Sequence, residues 1–196
     1  GFYTEIEIIA TSGTHKYLKN NDIHSTGISD YIDFPEILDG RVKSLHPKIF
    51  AGILSKKNSK NHNIDLKKFN INKIDMVICN LYKFEKVINS NQFSNEEAIE
   101  NIDIGGASIL RAAAKNYNDV VVISDPSDYE FVLNCILENN LNYDTRKKLA
   151  AKVFNLLSDY DIKIANYLSD NQNAISLNNN KFNKLRYGEN PRQSGY

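Results

Sequence analysis

The chain has 196 residues, 41% of them apolar, and its 24 Lys and Arg balance 24 Asp and Glu to a formal net charge of zero. That length and apolar content suffice for one domain with a substantial core. The charge balance favours neither nucleic acid nor a membrane surface as a bulk partner, and no apolar run approaches the ~20 residues that cross a bilayer.

Glu5–Ala10 (EIEIIA) reads as a short strand that ends in a turn, Thr11–Thr14 (TSGT), with a helical stretch from His15 to Asn20. In Leu38–Lys48 (LDGRVKSLHPK), Asp39-Gly40 reads as a turn, and Pro47 pushes His46 towards extended geometry. Ser55–Lys73 is polar and basic; without interleaved aromatics to stack bases it reads as a solvated connection and not an RNA contact. Ile74–Cys79 (IDMVIC) is predicted as a buried strand, with Asn80 and Tyr82 at its carboxyl end. A helix is predicted over Ala107–Tyr117, after Gly105-Gly106, and a strand over Val120–Ile123 (VVVI). The next helix, Pro126–Asn139, has Asp125 as its cap and Pro126 at its first position. The longest, Thr145–Leu168, carries Leu149, Val153, Leu156, Tyr160, Ile164 and Leu168 at three- and four-residue spacing, so one stripe faces a core. Asn171–Asn183 is Asn-rich and reads as a linker. Apolar strands alternating with helices predict an α/β domain with a mostly parallel sheet flanked by helices.

Cys79 and Cys135 fit neither a zinc spacing nor a disulfide framework, so a reducing cytosol is the expected setting. His15, His24, His46 and His62 are scattered without ligand spacing, and no metal site is expected. The residues that suit chemistry fall into four groups. Thr11, Ser12, Gly13 and Thr14 join a strand to a helix, where backbone N–H groups and hydroxyls suit a phosphate; a plain helix cap explains them equally well. Arg41 and Lys43 project to one side if the segment is locally extended, with Ser44 beside them; this suits a phosphate or a carbonyl-bearing heterocycle, or else a solvated basic loop. Asn80 and Tyr82 lie past a strand's carboxyl end, the edge where open α/β sheets bind ligands, though a loop Asn and a packed Tyr read the same. In Ile102–Asn116 (IDIGGASILRAAAKN) the glycines allow backbone to approach a ligand. There Arg111 and Lys115 are neighbours on one helix face. A bound anion or a lowered lysine pKa would relieve their repulsion, as would one of them simply pointing to water.

Taken together, Thr11–Thr14, Phe34–Leu54 (FPEILDGRVKSLHPKIFAGIL), Cys79–Tyr82 (CNLY), Ile102–Asn116 and Leu185–Gln193 (LRYGENPRQ) resemble, in order and approximate spacing, the inosine monophosphate cyclohydrolase domain of bifunctional purine-biosynthesis enzymes that also carry an AICAR transformylase. The resemblance implies a methylglyoxal-synthase-like fold. It implies closure of the second purine ring, from 5-formamidoimidazole-4-carboxamide ribotide to inosine monophosphate and water, without a cofactor. On that resemblance Lys43 and Tyr82 match positions near the formyl oxygen, and Lys115 matches the lysine that transfers a proton. Asp103 matches the carboxylate that orients the reacting amide. Arg41, Ser44 and Asn80 match positions that bind the base and its substituents, and Val42, Cys79, Ile104 and Gly105 match further substrate-binding positions. Thr11–Thr14 match part of the phosphate pocket.

The family normally begins with a further strand, a phosphate-contacting loop and a helix that precede Gly1. Residues 1–184 are therefore expected to be a cyclohydrolase domain lacking those elements, and 185–196 the start of the transformylase domain. The 10-formyltetrahydrofolate site belongs to that second domain, and Arg192 stands where its motif usually has His. The parent enzyme is expected to be a cytoplasmic homodimer with a small nucleotide substrate and no nucleic-acid or membrane partner. A regulatory phosphate-ligand-binding module of the same fold is the alternative; it would not need the CNLY and IDIGGASILRAAAK groups. A methylglyoxal synthase would need catalytic carboxylates beside a phosphate loop, a pattern the sequence lacks.

Overall fold

In the computed structural model, residues 6–82, 84–90 and 92–169 are described. Their strands are parallel, as the alternating pattern requires, but they form two separate two-stranded pairs. β1 (Ile9–Ala10) pairs with β2 (Thr26–Gly27), Ile9 opposite Thr26 and Ala10 opposite Gly27. β3 (Met76–Ile78) pairs with β4 (Val121–Ile123), Val77 opposite Val122. The N–H of Cys79 donates to the Ile123 carbonyl at 3.0 Å and extends this second ladder by one bond.

β1 is short because Thr11 already has the extended geometry of a helix N-cap (φ −70°, ψ 157°) and α1 runs over Ser12–Asn20. The predicted TSGT turn is therefore a cap and a first helical turn, three residues ahead of the expected start. β3 is shorter and less enclosed than predicted. Val77 is buried while Ile78 is 56% exposed, the alternation of a strand with one covered face. β4 is buried along its whole length.

α2 (Ile28–Ile32) follows β2 directly and ends at Asp33 in the left-handed region. α3 (Pro47–Leu54) begins as the sequence dictates. His46 is extended (φ −126°, ψ 139°), its ring nitrogen accepts from the Lys48 N–H, and Pro47 takes the first helical position. The Lys48 ammonium donates to the Tyr31 carbonyl at 2.5 Å and lies 4.7 Å from the Tyr31 ring centre, which ties α3 to α2. The polar 55–73 segment holds a helix that its composition hides, α4 (Lys60–Lys68). Ser59 caps it, and Leu66 alone among its residues is buried, so a single apolar contact seats an otherwise solvated helix.

α5 (Phe84–Ile88) and α6 (Asn95–Glu100) pack together, the first buried through Phe84 and the second through Ala98. α7 (Gly105–Lys115) starts two residues before the predicted helix and includes both glycines. After β4, Asp125 accepts from the Ser127 N–H at 2.9 Å and starts a 3-10 turn, Pro126–Asp128, that leads into α8 (Tyr129–Leu137). The expected cap is present, but its first turn is wound tighter than an α-helix.

α7 is central to this part of the fold and packs against α3, β3 and β4. Its Ala112, Ala113 and Ala114 are buried, and these small side chains let the helix lie close to the strands. Leu110, Ile53, Val120 and Val122 are at most 1% exposed, and burying each such side chain is worth roughly 1.5–3 kcal/mol. Close approach also explains Gly52 on α3, where a Cβ would lie 2.7 Å from the Asn72 carbonyl oxygen.

Asn116 fixes the far end of this packing. It is buried, and its amide nitrogen donates to the carbonyls of Ile53 at 2.8 Å and Ser55 at 3.0 Å, so it satisfies the end of α3 from the end of α7. Asn116→Ala strands those acceptors in the interior. The substitution is expected to lower stability by about 1–3 kcal/mol, seen as a lower thermal midpoint with unchanged helix content by circular dichroism.

The chain divides into two compact units, Gly1–Phe154 and Asn155–Tyr196. α9 (Tyr143–Leu168) contributes to both. In the first unit it buries Leu149, Ala150 and Val153. In the second, Leu157 and Tyr160 are buried while Leu156 and Ile164 are half-buried. Leu168 is 60% exposed, so the predicted stripe shifts by one residue and ends before the helix does. The expected linker at 171–183 and the 185–196 segment lie outside the described residues.

Candidate functional site

Three segments far apart in sequence meet at the start of α7. The first is the basic loop. Ile37 and Val42 form an isolated antiparallel bridge, and Leu38, Asp39 and Gly40 take positive φ (54°, 54° and 85°) to turn the chain between them. Ser44 is buried just beyond, its Oγ only 2.8 Å from where a Cβ on Gly105 would sit. The second segment leaves β3 through Cys79, Asn80 and Tyr82. The third is Asp103–Gly106. One Asp103 oxygen accepts from the Gly106 N–H at 2.7 Å, and the other accepts from the Tyr82 N–H at 3.4 Å.

Asp103 therefore starts α7 from outside the helix, where Ile104 at the cap position makes no side-chain bond. Gly106 is required by the crowding. A Cβ there would lie 2.7 Å from an Asp103 carboxylate oxygen and 2.9 Å from the Cys79 sulfur. Burial, reinforced by the Asp103 charge, pushes the Cys79 thiol up to about 11. At neutral pH Cys79 is thus a neutral wall of the site and not a thiolate nucleophile.

Ser44, Cys79, Tyr82, Asp103, Ile104 and Gly105 are brought together in this way. Arg41 and Lys43 have separate neighbours. Arg41 closes the 38–40 turn, its N–H donating to the Leu38 carbonyl. Its side chain pairs with Glu100 on α6, both side chains being more than half exposed. Such a pair is worth about 0–1 kcal/mol and breaks easily for a better anion. The Lys43 ammonium folds back over Gly40, 4.0 Å from that residue's Cβ position, on the side where Glu36 also approaches. Val42 is held by its bridge to Ile37.

Glu36 connects this loop to the Thr11–Thr14 segment, since Ser12 Oγ donates to its carboxylate. Thr11 makes no side-chain cap bond, and the first turn of α1 has no acid of its own. Gly13 faces open space. Asn80 is exposed, and its amide nitrogen donates to the Tyr129 hydroxyl at 2.9 Å. Lys115 is exposed on the last turn of α7, about 15 Å along the axis from Gly105. Glu100 and Tyr129 lie outside every motif named above, and Glu36 lies within one but has no role assigned there. Each meets its partner from 24 to 59 residues away, a separation no periodicity reports.

A second charged group lies beyond β4. The Lys152 ammonium reaches Asp125 at 2.9 Å and Asp128 at 2.7 Å. The Lys152 bond and the Ser127 N–H hold the Asp125 carboxyl down at about 2. The two carboxylates outweigh the desolvation of Lys152 and raise its pKa. Among the described residues no group of three or more His, Cys, Asp or Glu is placed to hold a metal, and no helix is long and apolar enough to cross a membrane.

Residues 113–196 match the family model described as AICARFT/IMPCHase bienzyme, and residues 3–108 match that of the MGS-like domain. The chain is similar to proteins named bifunctional purine biosynthesis protein PurH. Identity is 52% over 194 residues in Clostridium perfringens (strain SM101 / Type A) and 50% over 192 in Clostridium kluyveri (strain ATCC 8527). Each alignment covers 96% of this chain and 38% of the relative, so the chain spans well under half the length of these curated relatives. A solved structure titled "Crystal structure of ForH" aligns with a TM-score of 0.72 at 30% identity, over 81% of this chain and 82% of that one. The chain belongs to the MGS-like domain family and carries, from residue 113 onward, a segment that matches the AICARFT/IMPCHase bienzyme family.

Proposed function

We propose that this chain supplies the inosine monophosphate cyclohydrolase site of a bifunctional purine-biosynthesis enzyme, with 5-formamidoimidazole-4-carboxamide ribotide as substrate. The observation that carries this reading is the meeting of Ser44, Cys79, Tyr82 and Asp103 around the glycines that open α7. Similarity to PurH proteins along nearly the whole chain supports it.

The chemistry fits the residue types. A carboxamide nitrogen is a poor nucleophile because its lone pair is delocalised, and a formamide carbon is a poor electrophile. The two groups are neighbours on one ring, so the protein needs only to hold the reactive rotamer, stabilise charge on the formyl oxygen and move protons. The nitrogen adds to the formyl carbon and loses a proton, the oxygen gains one, and water then leaves to give inosine monophosphate. In this proposal Asp103 orients the attacking amide. Lys43 and the exposed Tyr82 phenol serve the formyl oxygen, and Lys115 transfers a proton. Arg41, Val42, Ser44, Cys79, Asn80, Ile104 and Gly105 hold the base and its substituents. Thr11, Ser12, Gly13 and Thr14 receive the phosphate at the start of α1.

The step as written uses no cofactor. Residues 1–184 form its domain, and 185–196 lead into a transformylase segment, where 10-formyltetrahydrofolate would act. The proposed setting is the cytosol and the proposed assembly a homodimer. The test is ultraviolet-monitored conversion of the formamido ribotide, with inosine monophosphate binding measured by calorimetry. Turnover is the expected result. A folded protein that neither turns over nor binds inosine monophosphate, or one that makes methylglyoxal from dihydroxyacetone phosphate, overturns the reading.

A further inference from the structure

Asn80 has a side-chain amide at the carboxyl end of β3, and its backbone is registered to β4 only as far as Cys79. An exposed asparagine in that position is free to sample rotamers, and ordering it on a ligand costs entropy. Here the amide nitrogen is already given to the Tyr129 hydroxyl at 2.9 Å. Tyr129 is itself 40% exposed, and the turn that precedes it is held by hydrogen bonds and ion pairs. Asp125 holds the Ser127 N–H at 2.9 Å, and Lys152, reaching across from α9, grips Asp125 at 2.9 Å and Asp128 at 2.7 Å. Tyr129 is the residue immediately after that clamped turn.

We propose that Tyr129 is the positioning residue for Asn80: its hydroxyl takes the amide nitrogen and leaves the Asn80 carbonyl oxygen to accept from an N–H group of the ligand. The inference rests on the reading of Asn80 as a substrate-binding residue under the proposed function. It adds a selectivity. A ligand with an amide or ring N–H at that point is favoured over one with only an acceptor there, because an acceptor would face the Asn80 oxygen unpaired.

Tyr129→Phe removes only the hydroxyl and keeps the ring. The expected result is a 3- to 10-fold rise in KM for the formamido ribotide, with kcat within about twofold of wild type and an unchanged thermal midpoint. In an Asn80→Ala background the same substitution is expected to have no further effect on KM. A Tyr129→Phe protein with wild-type KM, or a KM effect that persists without Asn80, overturns the assignment while the wild-type enzyme still turns over. A wild-type chain that neither turns over nor binds inosine monophosphate overturns the functional reading itself, and this assignment with it.

Discussion

Lys43→Ala is expected to lower kcat for ring closure by about 10²–10³-fold, the loss seen when one group that stabilises a developing oxyanion is removed. Lys43 lies one residue before Ser44, whose Oγ crowds Gly105 at the start of α7, and its ammonium sits on a flexible stem beside Gly40. Its resting place near Glu36 implies no large cost to moving the ammonium. Lys115→Ala is the companion measurement. Lys115 sits on the last turn of α7, at the opposite end from Asp103. If it transfers the proton, its removal costs about 10²–10⁴-fold. Near-normal turnover without Lys115 would remove that role and leave Lys43 as the working cation. A Lys43→Ala protein with unchanged kcat would remove the oxyanion role given to Lys43.

Asp103→Asn is expected to cost about 10–100-fold in kcat, the 1.5–3 kcal/mol of a hydrogen bond to a charged group. The substitution is chosen because Asp103 has two duties. It accepts from the Gly106 N–H and so starts α7, and an asparagine oxygen can keep that bond. The charge is lost, together with the longer 3.4 Å bond that the other oxygen accepts from the Tyr82 N–H, so the fold is expected to survive and the rate to fall. Cys79 provides an independent reading of the same charge. Its thiol is held at about 11 by burial first and by Asp103 second. Without the Asp103 charge the alkylation midpoint of Cys79 is expected to move down, while burial still keeps it above the ordinary thiol value. Peptide-resolved alkylation against pH separates Cys79 from Cys135. An unmoved midpoint would show that Asp103 carries no charge beside the sulfur.

The local features were legible in the sequence wherever one residue acts on its neighbours. Pro47 made His46 extended; Asp125 with Pro126 opened the turn after β4; the Gly105-Gly106 pair marked the start of α7, where the side chains of Ser44, Asp103 and Cys79 crowd in. A mostly parallel arrangement was likewise expected from apolar strands alternating with helices, and β3 and β4 do pair in parallel. The strands nevertheless proved shorter, with Thr11 capping the next helix directly after β1, and they form two separate pairs.

The sequence by itself determined the residue types of the site, the order of its motifs and the family they resemble. Tertiary structure alone decided their partners. It turned Arg41 to Glu100, joined Ser12 to Glu36 and Asn80 to Tyr129, and set Asn116 under the end of α3. It also placed Lys115 a helix length away from Asp103. The physical reason is that periodicity and capping report the conformation of a few adjacent residues and which face is buried. A hydrogen bond between side chains dozens of residues apart depends on how whole elements pack, and that leaves no local pattern to read.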